Sequence, residues 1–275
     1  MSTATVSRLL RRARLEGIVR IEVRDLETPE DINSMLVSRL GLRRAAVVGA
    51  SDTNGLTTLA GPVGTFLKDA GLAQGAVLAI GWGRAVRDVI GAGLPRLPGV
   101  ITVPATGGMQ QPASHFQIGE FVRLAAEQTG GMPCFIHAPY LLSEEAREGL
   151  LRDPATAKQL ALWNRVDAAI VGIGLPHGVE PGHGRLQITR HEQGLVNTVG
   201  DVIRHYFDDQ GDLVPWEGEN RLIAMSPDQL RATPLVIGVA ASPQKATAIR
   251  AAVRAKLVNA LVTDLSTAQA ILDLP

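Results

Sequence analysis

Two sets of residues in this chain have the types and spacing to do chemistry. The first is basic. Six arginines and two glutamates fall within residues 1–24, a net of +4 in a 275-residue chain whose total is zero. Val6, Leu9, Leu10 and Ala13 recur at i, i+3, i+4 and i+7, the spacing of one buried helical face. Arg8, Arg11 and Arg12 project from the opposite side, and Ser2, Thr3, Thr5 and Ser7 crowd the start. Hydroxyls and guanidinium groups on a helix tip can reach base edges in a DNA major groove, and the arginines can neutralise phosphates. A solvated basic helix face is the competing reading.

The second set consists of polar, glycine-containing breaks that follow apolar runs. Ala79-Ile80-Gly81-Trp82-Gly83-Arg84-Ala85-Val86 reads as a strand, a tight loop and a helix start, with Arg84 adding charge. Val103-Pro104-Ala105-Thr106-Gly107-Gly108-Met109-Gln110-Gln111 and Ile170-Val171-Gly172-Ile173-Gly174-Leu175-Pro176-His177 repeat the arrangement. Loops of this kind can present backbone N–H groups to an anion at a helix N-terminus. Any one of them is more often simple turn chemistry than a ligand cradle, but three in one sheet favour an anionic small-molecule site. Lys245 follows an apolar run and the turn Ala241-Ser242-Pro243-Gln244, at the first turn of a helix. A cation there opposes the helix dipole, which is explicable if an anionic ligand shares the helix tip; an exposed, solvated lysine is the competing reading.

Other residues carry weaker signals. Neither Gly81-x-Gly83 nor Gly172-x-Gly174 completes a dinucleotide fingerprint: the positions three after the second glycines are Val86 and His177. His177, His183 and His191 have spacings that match no helical metal pattern, so a surface loop is expected and no metal. Cys134 follows Pro133 inside an apolar run and reads as a buried small hydrophobe rather than a nucleophile. Asp201, Asp208 and Glu120 are carboxylates that an acid/base enzyme could use, but they form no legible acid/base constellation, and no catalytic residue is assigned.

The elements that must position these groups alternate. Thr28-Pro29-Glu30-Asp31 is a helix start, with Ile32, Met35, Leu36 and Leu40 as the apolar face and Gly41 as the stop. Apolar runs follow at 45–48, 76–80, 100–103, 134–137, 168–171, 235–240 and 260–262. Most are continuous rather than alternating, as expected of strands buried on both faces of a parallel sheet. Helical patterns at 116–128, 143–151, 245–257 and 266–272 separate several of them. This order predicts a three-layer α/β/α sandwich over residues 25–275, joined near Arg24–Pro29 to the basic segment 1–24. At 45% hydrophobic content such a body buries a sizeable core. One cysteine fits a reducing cytoplasm, and neither a signal peptide nor a run long enough to span a membrane is evident.

These residues resemble the SorC/DeoR-type bacterial transcriptional regulators. The resemblance is carried by Thr5-Val6-Ser7-Arg8-Leu9-Leu10 through Glu16-Gly17-Ile18-Val19, by Gly81-Trp82-Gly83-Arg84, and by Gly200-Asp201 with Tyr206-Phe207-Asp208-Asp209-Gln210-Gly211. Lys245-Ala246, Ala248-Ile249, Leu261-Val262-Thr263-Asp264 and Thr267-Ala268 complete it. The resemblance implies a fold similar to ribose-5-phosphate isomerase and glucosamine-6-phosphate deaminase, adapted to sense a phosphorylated sugar without a cofactor. By position it implies a ligand held among Gly81, Trp82, Gly83, Arg84, Ala85, Thr106, Gly107, Gly108, Gln117, Asp201 and Lys245. Where many members carry Thr or Ser after the first loop's second glycine, this chain has Arg84-Ala85. Residues 1–24 are implied to be the second half of a helix-turn-helix, expected to bind DNA poorly without its preceding helix. The expected whole is a cytoplasmic, homodimeric or homotetrameric regulator bound to operator DNA. The alternative is a sugar-phosphate isomerase or deaminase on the same fold; a nicotinamide-dependent enzyme is disfavoured by the incomplete glycine fingerprint.

Overall fold

The apolar runs pair as parallel strands because each is hydrophobic on both faces and needs helices above and below it. A computed structural model describes residues 29–49, 55–109, 116–175, 195 and 197–275. In chain order the elements are α1 (Pro29–Leu40), β1 (Arg44–Val48), α2 (Ala60–Asp69), β2 (Val77–Ile80), α3 (Arg84–Ala92), β3 (Ile101–Pro104) and α4 (Ile118–Thr129). Then come β4 (Met132–Pro133), α5 (Glu144–Arg152), α6 (Pro154–Leu160), β5 (Val166–Gly172), β6 (Gly200–Val202) and β7 (His205–Phe207). The chain closes with α7 (Pro227–Ala232), β8 (Leu235–Val239), α8 (Ala246–Arg254), β9 (Ala260–Asp264) and α9 (Leu265–Leu272).

Among the described residues, seven strands form one sheet in the order β1-β9-β8-β5-β2-β3-β4, every neighbouring pair parallel. The period of two divides each strand between two cores. Val77 and Ala79 belong to the same core as Ile32 and Leu36 of α1, Ile249 of α8 and Ile271 of α9. Leu78 and Ile80 pack with Phe66 of α2, Val89 of α3 and Phe121 of α4. The three-layer α/β/α sandwich expected from the element order is therefore what forms.

Gly41 ends α1 at φ +70°, a left-handed conformation open to glycine at little cost. The run at 134–137 does not form a strand. Pairing ends at Pro133, which cannot donate to a ladder and so belongs at an edge. Cys134 donates one further N–H to Thr102 O at 2.8 Å before the chain leaves the sheet. The antiparallel hairpin β6–β7 stands outside the main sheet. The basic segment, including Ser2, Thr3, Thr5, Ser7, Arg8, Arg11 and Arg12, lies outside the described residues, as do His177, His183 and His191.

Candidate ligand-binding site

Of the candidate residues, Gly81, Asp201 and Lys245 each contact the chain at the carboxyl end of β5. On one side runs the exit of β2. Gly81 N–H donates to Ile170 O at 2.8 Å. A Cβ on Gly81 would stand 3.0 Å from that oxygen and 3.1 Å from Val171 Cα, so the residue is glycine because the chain passes hard against β5. Trp82 is pinned: its indole N–H donates to Phe116 O at 2.9 Å, and its ring meets Phe116 edge-on at 4.6 Å between centroids. Arg87 lies 5.2 Å above the same phenyl ring and pairs with Asp88 at 2.7 Å. Gly83, at φ +139°, turns the chain into α3. Arg84 opens that helix from an exposed position, while the methyl of Ala85 goes into the core. Gln117, next to the Phe116 that clamps Trp82, is the N-cap of α4.

On the other side of β5 lie Asp201 and Lys245. Gly174 and Asp201 form an antiparallel bridge, with Gly174 N–H donating to Asp201 O at 2.9 Å. The carboxylate folds over Gly174: a Cβ there would stand 2.0 Å from Asp201 Oδ1. The other carboxylate oxygen, Oδ2, accepts Arg204 N–H at 3.0 Å and closes the β6–β7 turn, in which Ile203 and Arg204 have φ of +44° and +71°. Lys245 stands at the start of α8 and sends its ammonium back to Ile173 O at 2.7 Å. The cation thus reaches the end of β5.

The β3 exit differs from its neighbours. Gly107 N–H donates to Ile223 O at 2.7 Å and Gly108 N–H to Ala138 O at 2.8 Å. Thr106, 1% exposed, donates its hydroxyl to Ile223 O at 3.3 Å. These groups stitch the loop to 138–139 and 222–225, so their donors are spent internally. The sheet order nonetheless sets the exits of β8, β5, β2 and β3 side by side. With strands about 4.8 Å apart, the β2 and β8 exits are roughly 10 Å from each other, the span of a small sugar phosphate.

Charge at this rim is mixed. His205 on β7 is 6% exposed, and its Nε2 lies 2.7 Å from Met225 O. Burial holds its imidazole below the ordinary pKa; the Met225 bond and Asp201 push the other way, and Arg231 adds to the lowering. A cleft of about 730 Å³ opens at the opposite rim of the sheet, between Arg43, Arg44, Phe66, Asp69, Arg165 and Asp167. Its cations are engaged: Arg43 with Pro234 O at 2.6 Å, Arg44 with Asp69 at 2.5 Å and Arg165 with Gly75 O at 3.0 Å. The carbonyl end of α2 borders it too. An anion fits the carboxyl rim better.

Sequence reasoning missed Ser242 and Thr267, which shape the turn before Lys245. Ser242 N–H donates to Thr267 Oγ1 at 2.7 Å. The Asp264 cap of α9, with Thr267 N–H at 2.7 Å, could have been read from the Asp-x-x-Thr spacing. The φ of +141° at Ser242 has no sequence signal. No helix among the described residues is long and apolar enough to cross a membrane, and no group of three or more His, Cys, Asp or Glu among them could hold a metal ion.

Comparison with known proteins gives a consistent result. Residues 24–273 match the family described as "Putative sugar-binding domain". The chain is 28% identical over 285 residues to the sorbitol operon regulator of Klebsiella pneumoniae, covering 98% of this chain and 88% of that protein. It is 30% identical over 292 residues to the transcriptional regulator LsrR of Klebsiella pneumoniae subsp. pneumoniae, covering 98% and 84%. The crystal structure of the full-length sorbitol operon regulator SorC superposes with a TM-score of 0.81 at 27% identity, covering 98% of this chain and 90% of that one.

Proposed function

The chain belongs to the sugar-binding-domain family of SorC-type transcriptional regulators, and from that premise we propose that it senses a phosphorylated sugar between the exits of β2 and β8. In this reading the phosphate lies near Lys245 and Arg84, at the tips of α8 and α3, where a cation and a helix N-terminus act together on an anion. Trp82, Gly83, Gln117 and Asp201 border the sugar, and Thr106-Gly107-Gly108 form the floor through their internal bonds. The observation that carries this reading is the Lys245 ammonium drawn back to Ile173 O at 2.7 Å, at the end of the central strand. Occupancy shifts the balance between two conformations and thereby DNA binding by residues 1–24; a coupling of about 1–3 kcal/mol is enough. The body associates into at least a dimer, and the protein works in the cytoplasm.

The ligand is bound and not turned over. The candidate base beside the end of β5, Asp201, is built into the hairpin and folded over Gly174, a poor placement for proton transfer. The test is 31P NMR of fructose 6-phosphate, glucosamine 6-phosphate, ribose 5-phosphate and sorbitol 6-phosphate mixed with the full chain. At least one ester signal is expected to broaden while no new ester appears. Absence of broadening for every ester counts against the binding reading. Product formed at about 1 s⁻¹ or faster restores the isomerase or deaminase alternative.

A further inference from the structure

Ser242 occupies φ +141°, ψ +128°, backbone space that non-glycine residues rarely adopt. It also precedes Pro243, and a residue before proline is ordinarily held at a φ near −120°. Something must hold it there. Its N–H is bound by the hydroxyl of Thr267 at 2.7 Å, its carbonyl accepts Lys245 N–H at 2.9 Å, and Lys245 Nζ is anchored on Ile173 O at 2.7 Å. Thr267 is 0% exposed and is itself fixed through its N–H by the Asp264 carboxylate.

Thr267 belongs to α9, and α9 packs on α1: Ala268 and Ile271 share a core with Ile32 and Leu36. Arg39 of α1 also donates to Leu274 O beyond the end of α9. Asn33 Oδ1 accepts Val47 N–H at 2.8 Å, which places the start of α1 beside the carboxyl end of β1. The start of α1 therefore lies at the same rim as Lys245.

We propose that the Ser242–Thr267 hydrogen bond links the state of Lys245 to α1, the helix that follows the basic segment. When the ammonium leaves Ile173 O for an anion, the strained turn relaxes, the Thr267 bond loosens, and α9 and α1 shift against the sheet. Thr267 is thus a positioning residue. The assignment rests on the reading of Lys245 as an anion contact, and it deepens that reading by naming the route from site to DNA-binding segment.

The test is amide hydrogen exchange of the full chain by mass spectrometry, with no ligand added, so failure of sugar-phosphate binding and failure of this route are separately visible. Thr267→Val is expected to speed exchange at 242–246 and at Asn33–Leu40 together, by roughly tenfold, while Thr267→Ser matches the parent chain. Lys245→Met, which removes the anchor on Ile173, is expected to speed Asn33–Leu40 likewise, and Ser242→Gly to slow both segments. Thr129→Val removes another buried threonine hydroxyl, bonded to Ala125 O at 2.7 Å in α4, and is expected to move neither. The proposal is overturned if Asn33–Leu40 is unchanged by Thr267→Val or Lys245→Met, or if Thr129→Val produces the same response. Should Thr267→Val not fold, Ser242→Gly and Lys245→Met decide: unchanged Asn33–Leu40 exchange in either overturns it.

Discussion

At the scale of single residues, the rim is built from groups whose partners fix their direction, and burial sets the protonation of one of them, His205. His205 shows how this can be read in solution. Burial lowers its pKa in the folded protein, so below about pH 6.5 the unfolded chain takes up the proton first. Stability contributed by the neutral ring is then complete above that value and is lost as pH falls towards the lower, folded pKa. Urea unfolding between pH 8 and pH 5 is expected to show stability falling below about pH 6.5, with a slope of up to about 1.4 kcal/mol per pH unit from this group. His205→Gln keeps a donor for Met225 O and is expected to flatten that part of the profile. An unaltered slope in the variant would mean that other groups set it. Ser242 is the complementary case, in which a local cost of about 1–3 kcal/mol is held by a bond to Thr267 and one to Lys245.

At the scale of elements, glycines decide how closely the loops approach one another. A Cβ on Gly107 would stand 2.7 Å from Pro139 C and O and 2.8 Å from Ala138 O, all of them backbone atoms that cannot swing aside. Gly107→Ala is therefore expected to lower stability by about 1–3 kcal/mol, measured by urea unfolding, whereas Gly61→Ala, which meets nothing within 4 Å, changes it little. Equal effects would show that the stitching of 107–108 to 138–139 matters less than its geometry implies. The same elements show what was legible beforehand. The β2, β5, β8 and β9 runs were readable because buried parallel strands are continuously apolar, and α1 because Pro29, Glu30, Asp31 and Gly41 mark its ends. Helix α2 was hidden by Gly61, Pro62 and Gly64, although proline is tolerated in a first turn and all three residues lie within the helix. The β6–β7 hairpin was hidden because Ile203 and Arg204 take the positive φ that glycine or asparagine usually signals. Within the candidate site, the strand exits were readable from glycine and charge. The internal use of the Gly107 and Gly108 donors was not, because their partners at Ile223 and Ala138 are distant in sequence.

At the scale of the whole molecule, charge and architecture divide the work. The +4 of residues 1–24 is balanced by the rest of the chain, so there is no global field to attract DNA, and the proposed DNA contact is assigned to that segment. Arg8→Ala and Arg12→Ala are each expected to weaken binding to nonspecific duplex at low salt, with a shallower dependence of log K on log salt. Unchanged binding in both would remove the segment from the DNA contact. The sandwich contributes the sensor, and its central strand brings the β2 and β8 exits to one rim, where α1 also starts. The central claim is that an anionic sugar is held at this rim through Lys245. Its most direct test is the unfolding temperature of the full chain with each phosphate ester and its unphosphorylated sugar, beside Lys245→Gln. At 100 times its Kd one ester is expected to stabilise the parent chain by about 2.7 kcal/mol, roughly 5 °C, while its unphosphorylated counterpart gives no shift and Lys245→Gln loses most of the effect. A shift of equal size in Lys245→Gln, or none with any ester, would contradict the account.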